Sequence, residues 1–406
     1  MAMRESRPVE PRPYTPPDTR RRIGFVIGVV CFWGSLYVYI PTLAVFAGSI
    51  GASLSVIGFI VAAYGFVQFV LRIPVGYLSD RTGKRVPFII GGLAANAIGD
   101  AGMALLSTPW MLVVWRGIHG IGAASFVPLS VYFAAFFRPE NATRATALMI
   151  ALTSGTQVFV SLLGGNLADT LGVTSTFWAG AVFGVAGVIA MAVAGERPIP
   201  AHRPMSIRRF RRVMTVRQLL IVSGLAAINQ YLTFALTMGF VPVLADRLGA
   251  SSTDLGVLTT LGFLSYAIAS VIAAAAAARV GERNLIVAGS VVAALAALAL
   301  PLAGTVFHVY ALQVVGGLGK GVVFPILMGL AIKAAPERER ASAMGVFQAV
   351  YAIGMFVGPA TAGAVADAIG LSGLFVFVGI LALGGALVAA IALGERAVSA
   401  ARHPAG

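Results

Sequence analysis

The sequence predicts an all-α polytopic membrane protein with twelve transmembrane helices in two pseudo-symmetric six-helix bundles. Composition, the lengths of the apolar runs and the placement of positive charge carry that prediction. Of 406 residues, 58% are hydrophobic and 11% charged. So few ionisable groups cannot coat a water-soluble globule, and most of the surface must face lipid. The apolar runs are about 18 to 27 residues long, and about 20 helical residues cross a hydrocarbon core. The net charge of +14 invites a nucleic-acid partner, but 25 of the 29 Lys and Arg lie in the two termini and in alternate loops, leaving only Arg72, Arg116, Arg247 and Lys320 elsewhere. That bias places both termini on the cytoplasmic side of the plasma membrane and makes the bilayer, not nucleic acid, the expected partner.

Residues 1–22 are polar with several Pro and Arg. No apolar stretch ending in a small-residue cleavage site follows them, so they read as a cytoplasmic tail and not as a signal peptide. Six spans follow within residues 23–195: Ile23–Phe46, Leu54–Leu78, Val86–Leu106, Trp110–Phe136, Ala145–Leu167 and Thr176–Val193. A basic break at 196–217, with Pro198, Pro200, Pro204 and the cluster Arg208, Arg209, Arg211 and Arg212, reads as an interdomain linker or a membrane-surface segment. Six more spans fill 218–394: Leu219–Val243, Leu255–Ala278, Leu285–Leu302, Val306–Ile332, Ala343–Val365 and Leu374–Leu393, before a cytoplasmic tail at 395–406. The single cysteine, Cys31, lies inside a span, which excludes an intramolecular disulfide.

The second and third spans are joined by a short basic corner, Gly76-Tyr-Leu-Ser-Asp80-Arg81-Thr-Gly83-Lys84-Arg85. Gly76 permits close approach by a neighbour, and Gly83 permits a left-handed turn. Arg81, Lys84 and Arg85 hold the corner at one membrane face. Asp80 is an acid at a helix C-terminus, where its own dipole disfavours it, so it seeks a cation or another helix's N-terminus. The halves also repeat. Arg116–Pro128 of the fourth span aligns with Gln313–Pro325 of the tenth, 197 positions on, and the stretches ending in Asp169 and Asp367 align likewise.

The corner resembles the signature Gly-x-Leu-x-Asp-Arg-x-Gly-Arg/Lys-Arg/Lys of the major facilitator superfamily, and the duplication resembles that family's fold over the whole chain after the tail. The resemblance implies a central cavity lined by the first, fourth, seventh and tenth helices between two rocking halves. It also implies that Asp80 engages the start of the eleventh helix, near Ser342–Gly345, in the outward-facing state. Arg116, Gly120 and Gly122 resemble the family's fourth-helix pattern Arg-x-x-Gln-Gly-x-Gly, used for energy coupling in proton-coupled members, with His119 where Gln is usual. Gly354, Gly358 and Pro359 have small-residue spacing and a Pro kink for close packing and gating. They resemble the Gly-Pro motif of drug–proton antiporters, but in the eleventh helix instead of the fifth.

Ionisable residues inside spans are costly and mark function by default. Asp100 and Arg116 stand at similar depth on either side of the Ser107–Trp110 turn. A direct or relayed ion pair is possible there, and the two read either as a proton-linked switch or as a static pair that fixes helix register. His119 reads as a titrating group or a simply hydrogen-bonded one. Lys320 lies near the middle of its span, and no Asp or Glu occurs within any span of the second half. With Arg116 it would make a cavity electropositive and suited to an anionic or zwitterionic small molecule. Tyr64, Gln68 and Arg72 recur every four residues on one helical face, which either lines the cavity or lets Arg72 snorkel to the surface. Further cavity candidates are Tyr37, Gln157, Asn229, Gln230, Gln348 and Tyr351, with Trp33 as part of an aromatic wall.

The sequence contains no phosphate-binding loop, HExxH or Cys/His metal cluster. No cofactor, metal or enzymatic activity is therefore expected. The expected protein is a monomeric secondary transporter of a small organic solute, working by alternating access and driven by protons, with export as the leading direction. The alternatives are an importer of the same fold and, from another class, a lipid flippase or a non-transporting sensor.

Overall fold

A computed structural model describes residues 18–138, 141–196, 214–336 and 339–394. Residues 1–17, the C-terminal tail and most of the predicted linker lie outside this set, while Thr19–Arg22 of the expected N-terminal tail already belong to the first helix. In the first half the helices are α1 (Thr19–Ser49), α2 (Leu54–Thr82), α3 (Val86–Leu105), α4 (Pro109–Ala134), α5 (Ala142–Leu171) and α6 (Thr174–Ala194). The second half has α7 (Arg217–Arg247), α8 (Ser252–Val280), α9 (Glu282–Leu302) and α10 (Val306–Lys333). The last helical run, Arg340–Ala392, is two helices, because Gly370 inside it has φ 76° and ψ 171°. Residues 340–369 form α11 and residues 371–392 form α12, which completes the twelve crossings. Gly172, which separates α5 from α6, has φ 82° and ψ 157°, so the repeat extends to a left-handed corner that suits glycine.

Each half packs by the same plan. Helices α3 and α4 pair, α2 lies against α4, and α6 covers α1 and α3; α9 pairs with α10, and α8 lies against α10. The halves meet along α2–α11 and α5–α8. Large apolar side chains such as Val182, Val271, Leu302 and Ile391 are exposed on the periphery, as a lipid-facing surface requires.

Three helices that the hydropathy pattern predicts as single runs are broken. In α1 the helix interrupts at Val38–Tyr39, just before Pro41. In α4 it interrupts at Ser125, just before Pro128. Residues Thr233–Phe240 of α7 form a π-helical stretch that ends just before Pro242. Each proline lacks the N–H that would bond the carbonyl four residues earlier, and its ring crowds that turn. The backbone irregularities therefore fall on α1, α4 and α7, next to the residues considered below.

Candidate functional site

The buried ionisable cluster of the first half is assembled by α1, α3 and α4. Asp100 and His119 are wholly buried, and Asp100 Oδ1 lies 2.8 Å from His119 Nε2. The other imidazole nitrogen, Nδ1, lies 2.8 Å from the Trp115 carbonyl. A carbonyl can only accept, so the ring presents N–H to Trp115. With Nδ1 protonated, Nε2 and Asp100 have one further proton to share: a neutral acid facing a bare nitrogen, or a carboxylate facing imidazolium. Asp100 Oδ2 has no hydrogen-bond partner among the described residues.

Asp100 is not paired directly with Arg116, so of the direct and relayed pairs that their depths allow, the relayed one fits the geometry. The Arg116 side chain runs toward α1 and α2, donates from Nη1 to the Tyr39 hydroxyl at 2.7 Å, and stands 4.7 Å over the Tyr64 ring. The cause is local. Gly99, beside Asp100, leaves room for the imidazole, since a Cβ there would stand 2.7 Å from His119 Cε1. Gly120 brings α4 against the α2 backbone, with a Cβ there only 2.7 Å from the Tyr64 carbonyl. The Tyr39 ring lies 5.3 Å from the imidazole, so Asp100, His119, Tyr39 and Arg116 form one contiguous cluster with the tyrosine in its middle. Helix spacing alone did not reveal Tyr39. Its signal is a tyrosine at the break before Pro41.

The second half has no such cluster at the matching positions. Where Asp100, Arg116 and His119 stand, an offset of 197 places Ala297, Gln313 and Gly316. These line a small cavity with Leu236, Ala296 and Lys320. Lys320 is 5% exposed and donates from Nζ to Thr237 Oγ1 at 2.5 Å, in the π-helical part of α7. No carboxylate forms a salt bridge with it among the described residues. Asn229 turns into the second bundle, donating to the Lys320 carbonyl at 3.2 Å, a hydrogen bond that braces α7 on α10.

Between the halves lies an aromatic layer. Tyr64 stacks at 6.2 Å on Phe234 of α7, and Tyr37 meets Phe263 of α8 edge-on at 5.6 Å. Trp33 stands 5.5 Å from Tyr37. Tyr64 and Gln68 are buried, and Arg72 Nη1 donates to the Tyr351 hydroxyl at 3.4 Å across the interface. The stripe of Tyr64, Gln68 and Arg72 therefore faces the opposite half, and Arg72 does not snorkel. Arg116 lies behind the Tyr64 ring and Lys320 behind α7, so Arg72 is the cation whose contact crosses the interface here. Gln157, Gln230 and Gln348 are half-buried on α5, α7 and α11.

At the basic corner, Asp80 Oδ1 is 2.5 Å from Arg85 Nη2, and Arg85 Nη1 donates to Ser79 Oγ at 2.8 Å. Arg85 is fully buried, so it is an internal tether instead of a surface anchor, while Arg81 and Lys84 are exposed. Gly83 has φ 65° and caps α2. Gly76 faces a side chain and not a backbone, with Val127 Cγ1 at 3.3 Å from where a Cβ would lie. The side chain of Ser342, in the segment expected to receive Asp80, lies outside the described residues. Gly122 packs on the α3 backbone at Gly92. A Cβ on Gly358 would stand 3.0 Å from Tyr231 Cα, and the Pro359 carbonyl lies against Gly58 of the other half; Gly354 packs on the Ala227 backbone.

The profile of the Major Facilitator Superfamily matches residues 25–228 and 223–405. The inner membrane transport protein YajR of Escherichia coli K12 is 31% identical over 38% of this chain, a match that spans only 34% of that protein's length. The class C tetracycline resistance protein of Escherichia coli is 26% identical over 74% of this chain and 78% of its own. The multidrug resistance protein MdtH of Salmonella typhimurium is 25% identical over 79% of this chain and 80% of its own. The solved nucleoside transporter NupG superposes with a TM-score of 0.75 at 15% identity, over 92% of this chain and 98% of its own, a likeness of fold.

Proposed function

This chain belongs to the Major Facilitator Superfamily, and on that premise we propose that it exports a small organic solute across the cytoplasmic membrane by alternating access, in exchange for protons. Relatives in this family are membrane transporters of small molecules, not enzymes. The observation that carries proton coupling is the wholly buried Asp100–His119 pair, which can hold one proton in either of two places. It is the only buried Asp or Glu among the described residues, and it has no equivalent in the second half. Proton arrival at Asp100 changes the charge seen by His119 and, through Tyr39, by Arg116. Arg116 stacks on Tyr64, and Tyr64 stacks on Phe234 of the other half. The protonation state thus reaches the interface that must open and close. Export is supported by the relatives named for tetracycline and multidrug resistance.

The solute is anionic or zwitterionic in this reading. Arg116 and Lys320 are buried and half-buried Arg72 contacts Tyr351 across the interface, whereas the single buried carboxylate is already taken by His119. A bound carboxylate or phosphate group would offset that excess of positive charge.

The test uses purified protein in liposomes that contain a pH dye. Gradients of anionic, neutral and cationic compounds are imposed on wild type, Asp100→Asn and Arg116→Ala. The proposal expects proton movement that depends on an anionic or zwitterionic compound and is lost in Asp100→Asn. Solute flux without proton movement in wild type would overturn the coupling.

A further inference from the structure

On the face opposite the basic corner, two exposed carboxylates reach across from one half to the other. Asp169, at the end of α5, accepts from the Thr253 backbone N–H at 3.3 Å and from its hydroxyl at 2.6 Å, at the start of α8. Asp367, at the end of α11, accepts from the backbone N–H groups of Leu54 at 3.1 Å and Ser55 at 2.9 Å, at the start of α2. At the C-terminus of its own helix a carboxylate is disfavoured by the dipole; at the N-terminus of another it is favoured and finds unused donors. Each carboxylate therefore gains only when the two halves are docked on this face.

Directly behind each carboxylate the two halves touch through glycine. A Cβ on Gly165 would stand 2.8 Å from Gly256 Cα, and one on Gly363 would stand 3.1 Å from Gly58 Cα. Ser55 and Thr253, Gly58 and Gly256, Gly165 and Gly363, and Asp169 and Asp367 are all separated by 198 positions. One seam is thus the pseudo-two-fold image of the other, with acid, acceptor helix and glycine contact all repeated.

We propose that Asp169 and Asp367 are paired latches that shut this face, each by capping a helix of the opposite half, and that together they set the resting balance between the transporter's two conformations. The proposal rests on the alternating-access reading. It differs in kind from the Asp80 corner, where the carboxylate is held by an arginine of its own half. Two symmetric latches on one rigid-body motion act on one equilibrium, so their effects multiply.

The test needs neither a solute nor transport, so failure of the latch and failure of the proposed function are distinguishable. In a Cys31→Ser background, Ser161→Cys places a thiol at a buried position of α5, whose backbone carbonyl touches Gly256. Labelling by a membrane-impermeant maleimide from the latch face reports opening there. We expect Asp169→Asn and Asp367→Asn each to raise the labelling rate several-fold, and the double substitution to raise it by the product, more than about tenfold. A second reporter, Thr260→Cys on α8, replaces a hydroxyl that donates to the Val158 carbonyl of α5 at 3.2 Å, and its labelling should rise in the same way. An unchanged labelling rate at both positions in the double substitution, with thiols that react on denaturation, would overturn the proposal.

Discussion

At the scale of single residues, the central fact is that Asp100 and His119 neutralise each other's cost. A buried polar or charged group left without its partner is expensive, about 3–5 kcal/mol when one member of a buried pair is removed. His119→Ala should therefore lower thermal stability more than the loss of packing alone, by about 2–4 kcal/mol. Adding Asp100→Asn to His119→Ala should recover part of that loss, and a double-mutant cycle on unfolding midpoints should give a coupling above about 1 kcal/mol. Additive losses would mean the two side chains act independently. Tyr39→Phe removes only the hydroxyl that accepts from Arg116. It should leave the unfolding midpoint within a few degrees and slow proton-coupled flux, whereas unchanged flux would remove Tyr39 from the path. Asp80→Asn should weaken transport without unfolding the protein, checked by flux beside monodisperse elution; full flux would leave Asp80 a local tether of Arg85. The residues themselves were legible, because an ionisable group inside an apolar run stands out by composition. Their partners were not. Spacing from the Ser107–Trp110 turn gives depth but not the direction around the helix, so it left a direct and a relayed Asp100–Arg116 pair both open and did not pick out His119, one turn away, as the neighbour of Asp100.

At the scale of elements, the cluster depends on α4 lying very close to α2 and α3. Gly120→Val would push side-chain atoms into the Tyr64 carbonyl and the Gln68 N–H, where a Cβ alone would already stand 2.7 and 3.1 Å away. Overpacking of a close backbone contact costs about 1–3 kcal/mol. The thermal midpoint should fall, and the Arg116–Tyr64 stack should be lost; a variant as stable as wild type would show that α2 and α4 can separate freely. Existence and order of the helices were readable from runs of apolar residues, because lipid imposes that pattern directly. The breaks in α1 and α4 and the π-helical Thr233–Phe240 were not, because hydropathy is blind to a shift in hydrogen-bond register. Pro41, Pro128 and Pro242 were the available signals. The sequence placed Lys320 near a span centre but gave it no partner; the π stretch turns the Thr237 hydroxyl to meet its ammonium group.

At the scale of the whole molecule, duplication and asymmetry divide the work. The frame is symmetric: paired helices, left-handed glycine corners and both capped seams recur at 197 or 198 positions. The chemistry is not, since the Asp100–His119–Arg116 cluster has only alanine, glutamine and glycine as its counterpart. The repeat was visible in the sequence, whereas the meaning of Asp169 and Asp367 emerged only once α5 met α8 and α11 met α2. In the proposed cycle a symmetric frame supplies two conformations of similar free energy, and the asymmetric charge site would give protons a hold on which one prevails. The most direct test is the distance between spin labels on the latch ends of α5 and α8, measured across a range of pH in wild type and Asp100→Asn. Coupling through Asp100 predicts two distance populations in wild type whose ratio shifts with pH, and a ratio that is insensitive to pH in Asp100→Asn. The same pH response in both proteins would contradict it.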